Sequence, residues 1–307
     1  MPTWIRTLYQ SGITNPQLRS DYTEQRRLVA RYARAEYVAV RLLLPAQLVP
    51  DVIAATAFMH HSDNLIDHGP IEERLTALAD WDGYVRKALA SGTADQPVLR
   101  TLLHTFTRHP QLRAHIEGFL AGAPAEVAWE GFATEADFQD YINAYSHPAF
   151  MLIACLLSRP SEADTYSDRC RTFVEASQRL DFLADIAEDL GNGRLGIPQC
   201  ALDQHGISRS DLHKGDNADV VGKLVKQQAA LVRRGLKRSW ELVDLVEPQG
   251  KQLIRALVTL QELRLRDVEK KGSALLSAPS GIPAGAALRV LAREYRAARS
   301  RRTGGSG

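Results

Sequence analysis

The sequence predicts an all-α, single-domain helical bundle, and three observations carry that prediction. Apolar residues recur with helical period in nearly every segment, and no run alternates in the two-residue rhythm of a half-buried strand. The 307 residues allow one large domain or two of average size, and no repeat, low-complexity block or long linker divides them. The stretch Gln178–Asp189, QRLDFLADIAED, spaces Asp181, Asp185 and Asp189 four residues apart, which stacks carboxylates along one face of a helix. Leu180, Phe182, Leu183, Ala184, Ile186 and Ala187 wrap its other sides. Burying such a stripe is costly unless the carboxylates are paired or bind a cation.

The elements follow in order. Thr23–Leu44 reads as a first long helix closed by Pro45, and Gln47–His68 as a second, stopped by Gly69-Pro70. Ile71–Ser91 and Pro97–His109 are amphipathic. Gln111–Trp129 is expected to be loosened by its small residues AGAPAE. Thr134 and Asp137 form a capping box that opens Glu135–Leu157, in which Pro148 predicts a kink. Glu162–Leu190 is the central helix, ended by Gly191-Asn-Gly193. An irregular stretch covers Gly193–Ala218, and Asp219–Val246 and Gly250–Leu276 are again helical. Pro279–Gly285 breaks the chain before a basic last helix, Ala286–Ser300. This makes a bundle of about eight to ten helices over residues 1–300, with 301–307, RRTGGSG, expected as a flexible tail.

Composition excludes several classes. A net charge of +2 gives no reason to expect nucleic acid as a partner. Cys155, Cys170 and Cys200 are odd in number and far apart, so a reducing, cytoplasmic setting is expected rather than a disulfide framework. The N-terminal residues lack an apolar signal core. The longest apolar runs, Val38–Val49 and Pro148–Leu157, are interrupted by Arg41 or too short to span a bilayer. Arg289, Arg293, Arg296, Arg299, Arg301 and Arg302 make the C-terminal end basic. That pattern chiefly serves solubility, with weak peripheral docking to an anionic membrane as the alternative. Oligomeric state leaves no mark in the sequence.

A second acidic pair, Asp63 and Asp67, sits four residues apart near the end of the second helix, with His60 one turn earlier. Carboxylates at a helix C-terminus oppose the dipole, which asks for a compensating cation. Two such pairs facing each other across a bundle would hold hard divalent cations, and Mg²⁺ combines a few carboxylates with substrate phosphate oxygens. The chemistry this suits is departure of diphosphate from an allylic carbon inside an apolar, aromatic-lined cavity. Zinc is disfavoured, because adjacent His60 and His61 point about a hundred degrees apart on a helix. Tyr141, Tyr145, Phe138 and Phe150 follow helical spacing and read chiefly as core, with Tyr145 assigned to the cavity wall.

Tyr32–His68, YARAEYVAVRLLLPAQLVPDVIAATAFMHHSDNLIDH, resembles the first aspartate-rich region of the squalene/phytoene synthase family. Gln178–Ser208, QRLDFLADIAEDLGNGRLGIPQCALDQHGIS, resembles its second, including the Gly-Arg-x-x-x-Pro continuation, and weaker similarity runs from Tyr22 to Tyr295. The resemblance implies an isoprenoid-synthase fold with a central cavity. It also implies Mg²⁺-dependent chemistry, with Mn²⁺ as substitute, on farnesyl or geranylgeranyl diphosphate. The family joins two such molecules head to head and releases diphosphate; some members then use NADPH, a point the sequence leaves open. Carried over by position, Asp63, Asp67, Asp185 and Asp189 hold metal, supported by Glu188. Gln178 lines the cavity and Arg194 contacts diphosphate.

The chain also departs from the family pattern. His60 stands where arginine is usual, and Ala184 replaces the arginine before Asp185. Asp181 replaces an asparagine, and Gly196 a tyrosine. SHPAFM (Ser146–Met151) replaces a stretch of small residues, so Phe150 and Met151 are expected to reshape the cavity. Asp181 and His60 are expected to face substrate. The missing arginines open a second reading, a single-substrate terpene cyclase on the same scaffold. A non-catalytic assembly factor is a third, disfavoured because both aspartate pairs are intact.

Overall fold

Side chains of Thr3, Asn15, Thr134 and Ser208 cap helix starts, and the computed structural model, which describes residues 2–304 and side chains to residue 300, adds breaks that periodicity does not reveal. Thr3 caps a short helix missed by the sequence reading, α1 (Trp4–Gln10). Asn15 caps α2 (Pro16–Tyr32), with Pro16 at its first turn. The expected first helix is divided at Ala33, whose φ of −121° and ψ of 56° are non-helical, so α3 (Arg34–Leu43) stands apart. Then come α4 (Val49–Ile66), α5 (Ile71–Ser91), α6 (Pro97–Arg108) and α7 (Leu112–Ala128). Gly92, at φ 71°, closes α5 in the left-handed region.

The capping box forms as expected: Thr134 N donates to Asp137 Oδ2 at 2.7 Å, opening α8 (Glu135–Tyr141). A π-helical turn, Ile142–Ser146, leads into α9 (His147–Ala154). The expected central helix is two: α10 (Ala163–Ala184) and α11 (Ile186–Gly191) meet at Asp185, at φ −106° and ψ 14°. The stretch expected to be irregular contains α12 (Gln199–Asp203) and α13 (Arg209–Lys214), the latter capped by Ser208 and Asp211. The rest is α14 (Ala218–Ser239), α15 (Leu242–Leu245), α16 (Lys251–Lys271) and α17 (Ala284–Gly304). Helical backbone therefore continues past residue 300, and residues 305–307 of the expected tail lie outside the described residues. No β-strand forms among the described residues, and no helix there is long and apolar enough to cross a membrane.

Helix α4 is the enclosed one. Val49, Val52, Ile53, Ala54, Ala57 and Phe58 are all buried, and α2, α5, α6 and α9 pack around it. Its N-terminal turn holds the fully buried Asp51, which accepts from His109 Nε2 at 3.0 Å and pairs with Arg108 at 3.1 Å. A carboxylate there also suits the helix dipole. α10 runs along α14, where Gly235 leaves room for Ala176; a Cβ on Gly235 would lie 2.7 Å from the alanine methyl. Buried Arg179 ties α10 to α8 and α14 through Glu135 and Gln228. α17 closes over α16 and α3, its buried Glu294 paired with Arg255 and Arg293.

The segment through Pro148 decides how α7 meets its neighbours. Proline has no N–H, so residue 148 cannot bond the Ala144 carbonyl one turn back. The π turn instead bonds His147 N to Ile142 O. The Ala144 carbonyl faces Gly122 of α7 so closely that a Cβ there would lie 1.5 Å from the oxygen. A glycine Cα under a carbonyl favours a weak C–H···O contact. The small residues of AGAPAE thus make a tight helix contact rather than a loose one, and α7 stays helical through Pro124. Gly122→Ala cannot be absorbed by a side-chain shift, because the obstructing atom is backbone. It is expected to lower unfolding free energy by ~2 kcal/mol or more, measured by urea denaturation, with Gly118→Ala, which meets open space, as the tolerated control.

Candidate active site

The first acidic bank is the end of α4. Tyr145 Oη donates to Asp63 Oδ1 at 2.8 Å. Burial pushes the Asp63 carboxyl up to about 7; the Tyr145 bond opposes this, while the charges of Asp67 and Glu126 add to it. The cation that offsets the helix dipole here is protein-borne: buried Arg74 donates from Nη1 to Ile66 O at 2.9 Å. His60 lies on the Tyr32 ring at 4.3 Å, and His61 on Trp81 at 4.5 Å, so the two imidazoles diverge. His60 Nε2 is buried without a partner, and burial lowers the His60 pKa against the pull of Asp67.

The second bank spans the α10–α11 break. Asp185 N still bonds Asp181 O, and Asp189 N bonds Asp185 O, both at 2.9 Å, but the Ala184 carbonyl accepts from Ser280 N at 3.3 Å. The stripe therefore bends at Asp185 instead of running straight. Arg264 of α16 pairs with Asp181 and reaches both Asp185 oxygens at 3.4 and 3.2 Å. Burial pushes Asp181 up to about 6, opposed by Arg264. Asp189 Oδ2 is buried without a partner. Burial first, then the charges of Asp185 and Glu188, push Asp189 up to about 6, with Arg194 opposing. Glu188 is exposed. Gln178 accepts from Ser146 Oγ at 3.2 Å.

Glu126 of α7 joins the banks, and the sequence reading missed it. Asp63 and Asp189 both feel its charge, and it in turn feels Asp67 and Arg194. Its Oε2 accepts a short hydrogen bond from Tyr141 Oη. A lone acid in the apolar AGAPAEVA segment carries no periodic signal; its position one turn after Gly122 is the only hint.

Two loops complete this region. Leu195 N bonds Glu130 O, and Gln199 N and Cys200 N bond Phe132 O and Ala133 O. Arg209 Nη2 donates to Glu130 O at 2.7 Å, and its Nη1 reaches Gly193 O at 3.4 Å. This clip sets Arg194 over Trp129, 5.2 Å from the ring centre. Trp129, Phe132, Phe138, Tyr141 and Phe182 form an aromatic wall beside the carboxylates. Gly196 is explained by that wall: a Cβ there would lie 2.0 Å from the Phe182 ring, so Phe182 fills the space a side chain at 196 would need. Phe150 packs on Phe173, and Met151 is buried in the main core.

The residues fit divalent metal bound together with a phosphate-bearing ligand. Among the described residues the carboxylates do not close into a preformed set of three or more ligands. Mg²⁺ binds through one or two carboxylates and completes its shell with water and phosphate oxygens, so open pairs suit it. The partnerless Asp189 oxygen and the burial-raised Asp63 and Asp189 are carboxylates short of positive charge.

A squalene/phytoene synthase family model matches residues 29–296. A bifunctional CrtB/UppS protein of Streptomyces coelicolor is 30% identical over 221 residues, which cover 71% of this chain and 38% of that protein, so the chain spans well under half of this relative. A presqualene diphosphate synthase of Sinorhizobium fredii is 26% identical over 223 residues, 72% of this chain and 77% of the relative. A ligand-bound dehydrosqualene synthase structure superposes with a TM-score of 0.81 at 19% identity, covering 92% of this chain and 98% of its own. This is a likeness of fold.

Two predictions come from this geometry. Asp63, with its folded-state pKa raised, favours folding when protonated, and that contribution fades as pH rises from about 4 through about 7. In metal-free protein the Tm of Asp63→Asn minus that of wild type is therefore expected to be larger at pH 8 than at pH 5. Taking the difference cancels the opposing histidine contributions, and thermal unfolding across pH checks it. Gly196→Ala is expected to cost ~1–3 kcal/mol, relieved when combined with Phe182→Leu, as read by denaturant unfolding of the two single variants and the double.

Proposed function

Because the chain belongs to the squalene/phytoene synthase family, we propose that it is a Mg²⁺-dependent isoprenoid synthase that releases diphosphate from farnesyl or geranylgeranyl diphosphate and joins two such units head to head. The observation that carries this reading is the meeting of two acidic banks around Glu126, with Arg194 and Arg264 at the second. Asp63 and Asp67 hold one side of the diphosphate site, and Asp185 and Asp189 the other. Bound Mg²⁺ supplies charge neutralisation for the departing diphosphate. Tyr145 orients Asp63 by its hydrogen bond, and Tyr141 does the same for Glu126. Arg194, fixed over Trp129, directs positive charge at the leaving group. The aromatic wall excludes water and offers ring faces to positive charge that develops on the allylic carbon.

A second reading, cyclisation of a single substrate, is favoured by one specific observation. Ala184 is fully buried and His60 lies on Tyr32, so neither family arginine position presents a guanidinium. One diphosphate would then find cations more readily than two. The proposal includes weak peripheral membrane contact by the basic α17, and the NADPH arm of the test below reads any reductive step.

The test is incubation with each prenyl diphosphate and Mg²⁺, with and without NADPH, following diphosphate release and product mass. A product with twice the carbon count of the substrate establishes condensation; a single count establishes cyclisation. Asp185→Asn is expected to slow release by about 10²-fold or more. No release from either substrate, and none affected by Asp185→Asn, would sink both readings.

A further inference from the structure

The α10–α11 motif carries Asp181, Asp185, Glu188 and Asp189, and α10 itself sets no cation among them. The residue before Asp185 is Ala184, buried beneath the segment whose Ser280 N–H bonds the Ala184 carbonyl. A long charged side chain has no room there. Positive charge comes from another helix: Arg264 of α16 reaches across, one arm on Asp181 and the other on both oxygens of Asp185. Its side chain is 21% exposed, against 39% for Asp181 and 42% for Asp185, so the guanidinium is the more covered partner while all three groups remain partly accessible.

We propose that Arg264 is a diphosphate-binding residue of this chain, and that Asp181 is the positioning residue that keeps its guanidinium beside Asp185 without surrendering Asp185 to it. The assignment deepens the diphosphate reading above and rests on it. A guanidinium presents five N–H donors in a planar fork. The contacts to the two aspartates engage Nη1 and Nη2, which leaves Nε and further Nη hydrogens for phosphate oxygens. Asp181 divides the fork. With Asp181 neutralised, Arg264 has one anionic partner on this stripe within reach, and a bidentate pair with Asp185 would occupy the oxygens that metal needs. With both partners present, Asp185 can turn to metal while Arg264 stays tethered. A mere crosslink between α10 and α16 predicts something else: a partly exposed ion pair contributes little to stability and nothing to ligand affinity.

The experiment measures inorganic pyrophosphate binding in Mg²⁺ by calorimetry, and Mn²⁺ binding without pyrophosphate by electron paramagnetic resonance, on the full chain. Arg264→Met is expected to weaken pyrophosphate binding about tenfold or more while leaving Mn²⁺ binding unchanged or tighter. Arg264→Lys should recover part of the lost affinity and control for folding. Asp181→Asn is expected to weaken Mn²⁺ binding several-fold, and the double variant Asp181→Asn/Arg264→Met to restore it. Arg264→Met that retains pyrophosphate affinity within twofold, or Asp181→Asn that leaves Mn²⁺ binding untouched, overturns the assignment and leaves the diphosphate reading standing. Wild-type protein that binds no pyrophosphate in Mg²⁺ overturns both.

Discussion

The close approach of the Ala144 carbonyl to Gly122 is the contact on which the acidic face depends. It exists because three features cooperate: Pro148 withholds an N–H, the π turn realigns the chain before it, and Gly122 has no Cβ to obstruct the oxygen. The contact sets Tyr141 and Tyr145, four residues apart on the bent segment, against carboxylates on two other helices, Glu126 of α7 and Asp63 of α4. Tyr145 also packs against each of the three apolar clusters among the described residues. Side chains in such a core hold their rotamers because few voids are available to them. A backbone contact one turn before Glu126 and next to Tyr145 thereby orients the acids.

Electrostatics then distinguishes this face from the rest of the molecule. Asp63, Asp67, Glu126, Asp181, Asp185, Glu188 and Asp189 crowd one region, and the cations nearest them are Arg194 and Arg264. Arg74 is committed to the end of α4. Burial is the largest influence on Asp63, Asp181 and Asp189, each pushed toward its neutral form. Elsewhere the chain pairs its buried acids well: Asp51 has Arg108 and His109, and Glu294 has Arg255 and Arg293. The contrast within one molecule sets the acidic face apart as the place where buried carboxylates lack full charge compensation, the pattern on which the proposed function draws.

The departures from the family pattern have local physical causes. Ala184 is fully buried at the end of α10, with its carbonyl bonded by the Ser280 N–H, and a small side chain suits that closed position. Gly196 is a glycine because Phe182 occupies its surroundings. Asp181 differs from the usual asparagine in the same structure that presents Arg264 to it. These are compensations between elements distant in sequence, which is why each looks like a simple loss when the motif is read alone.

Read by itself, the chain determined the helical class, most helix boundaries, the capping box at Thr134 and both aspartate pairs. These follow from interactions between residues three or four apart, and a periodic pattern records them. Tertiary structure alone decided the break at Asp185, the partnership of Arg264 with Asp181 and Asp185, the Arg209 clip, and the place of Glu126 between the banks. Each depends on which helices meet. A solitary charged residue such as Glu126 or Arg264 has no local signature, because its partners lie dozens of residues away and only packing brings them within reach.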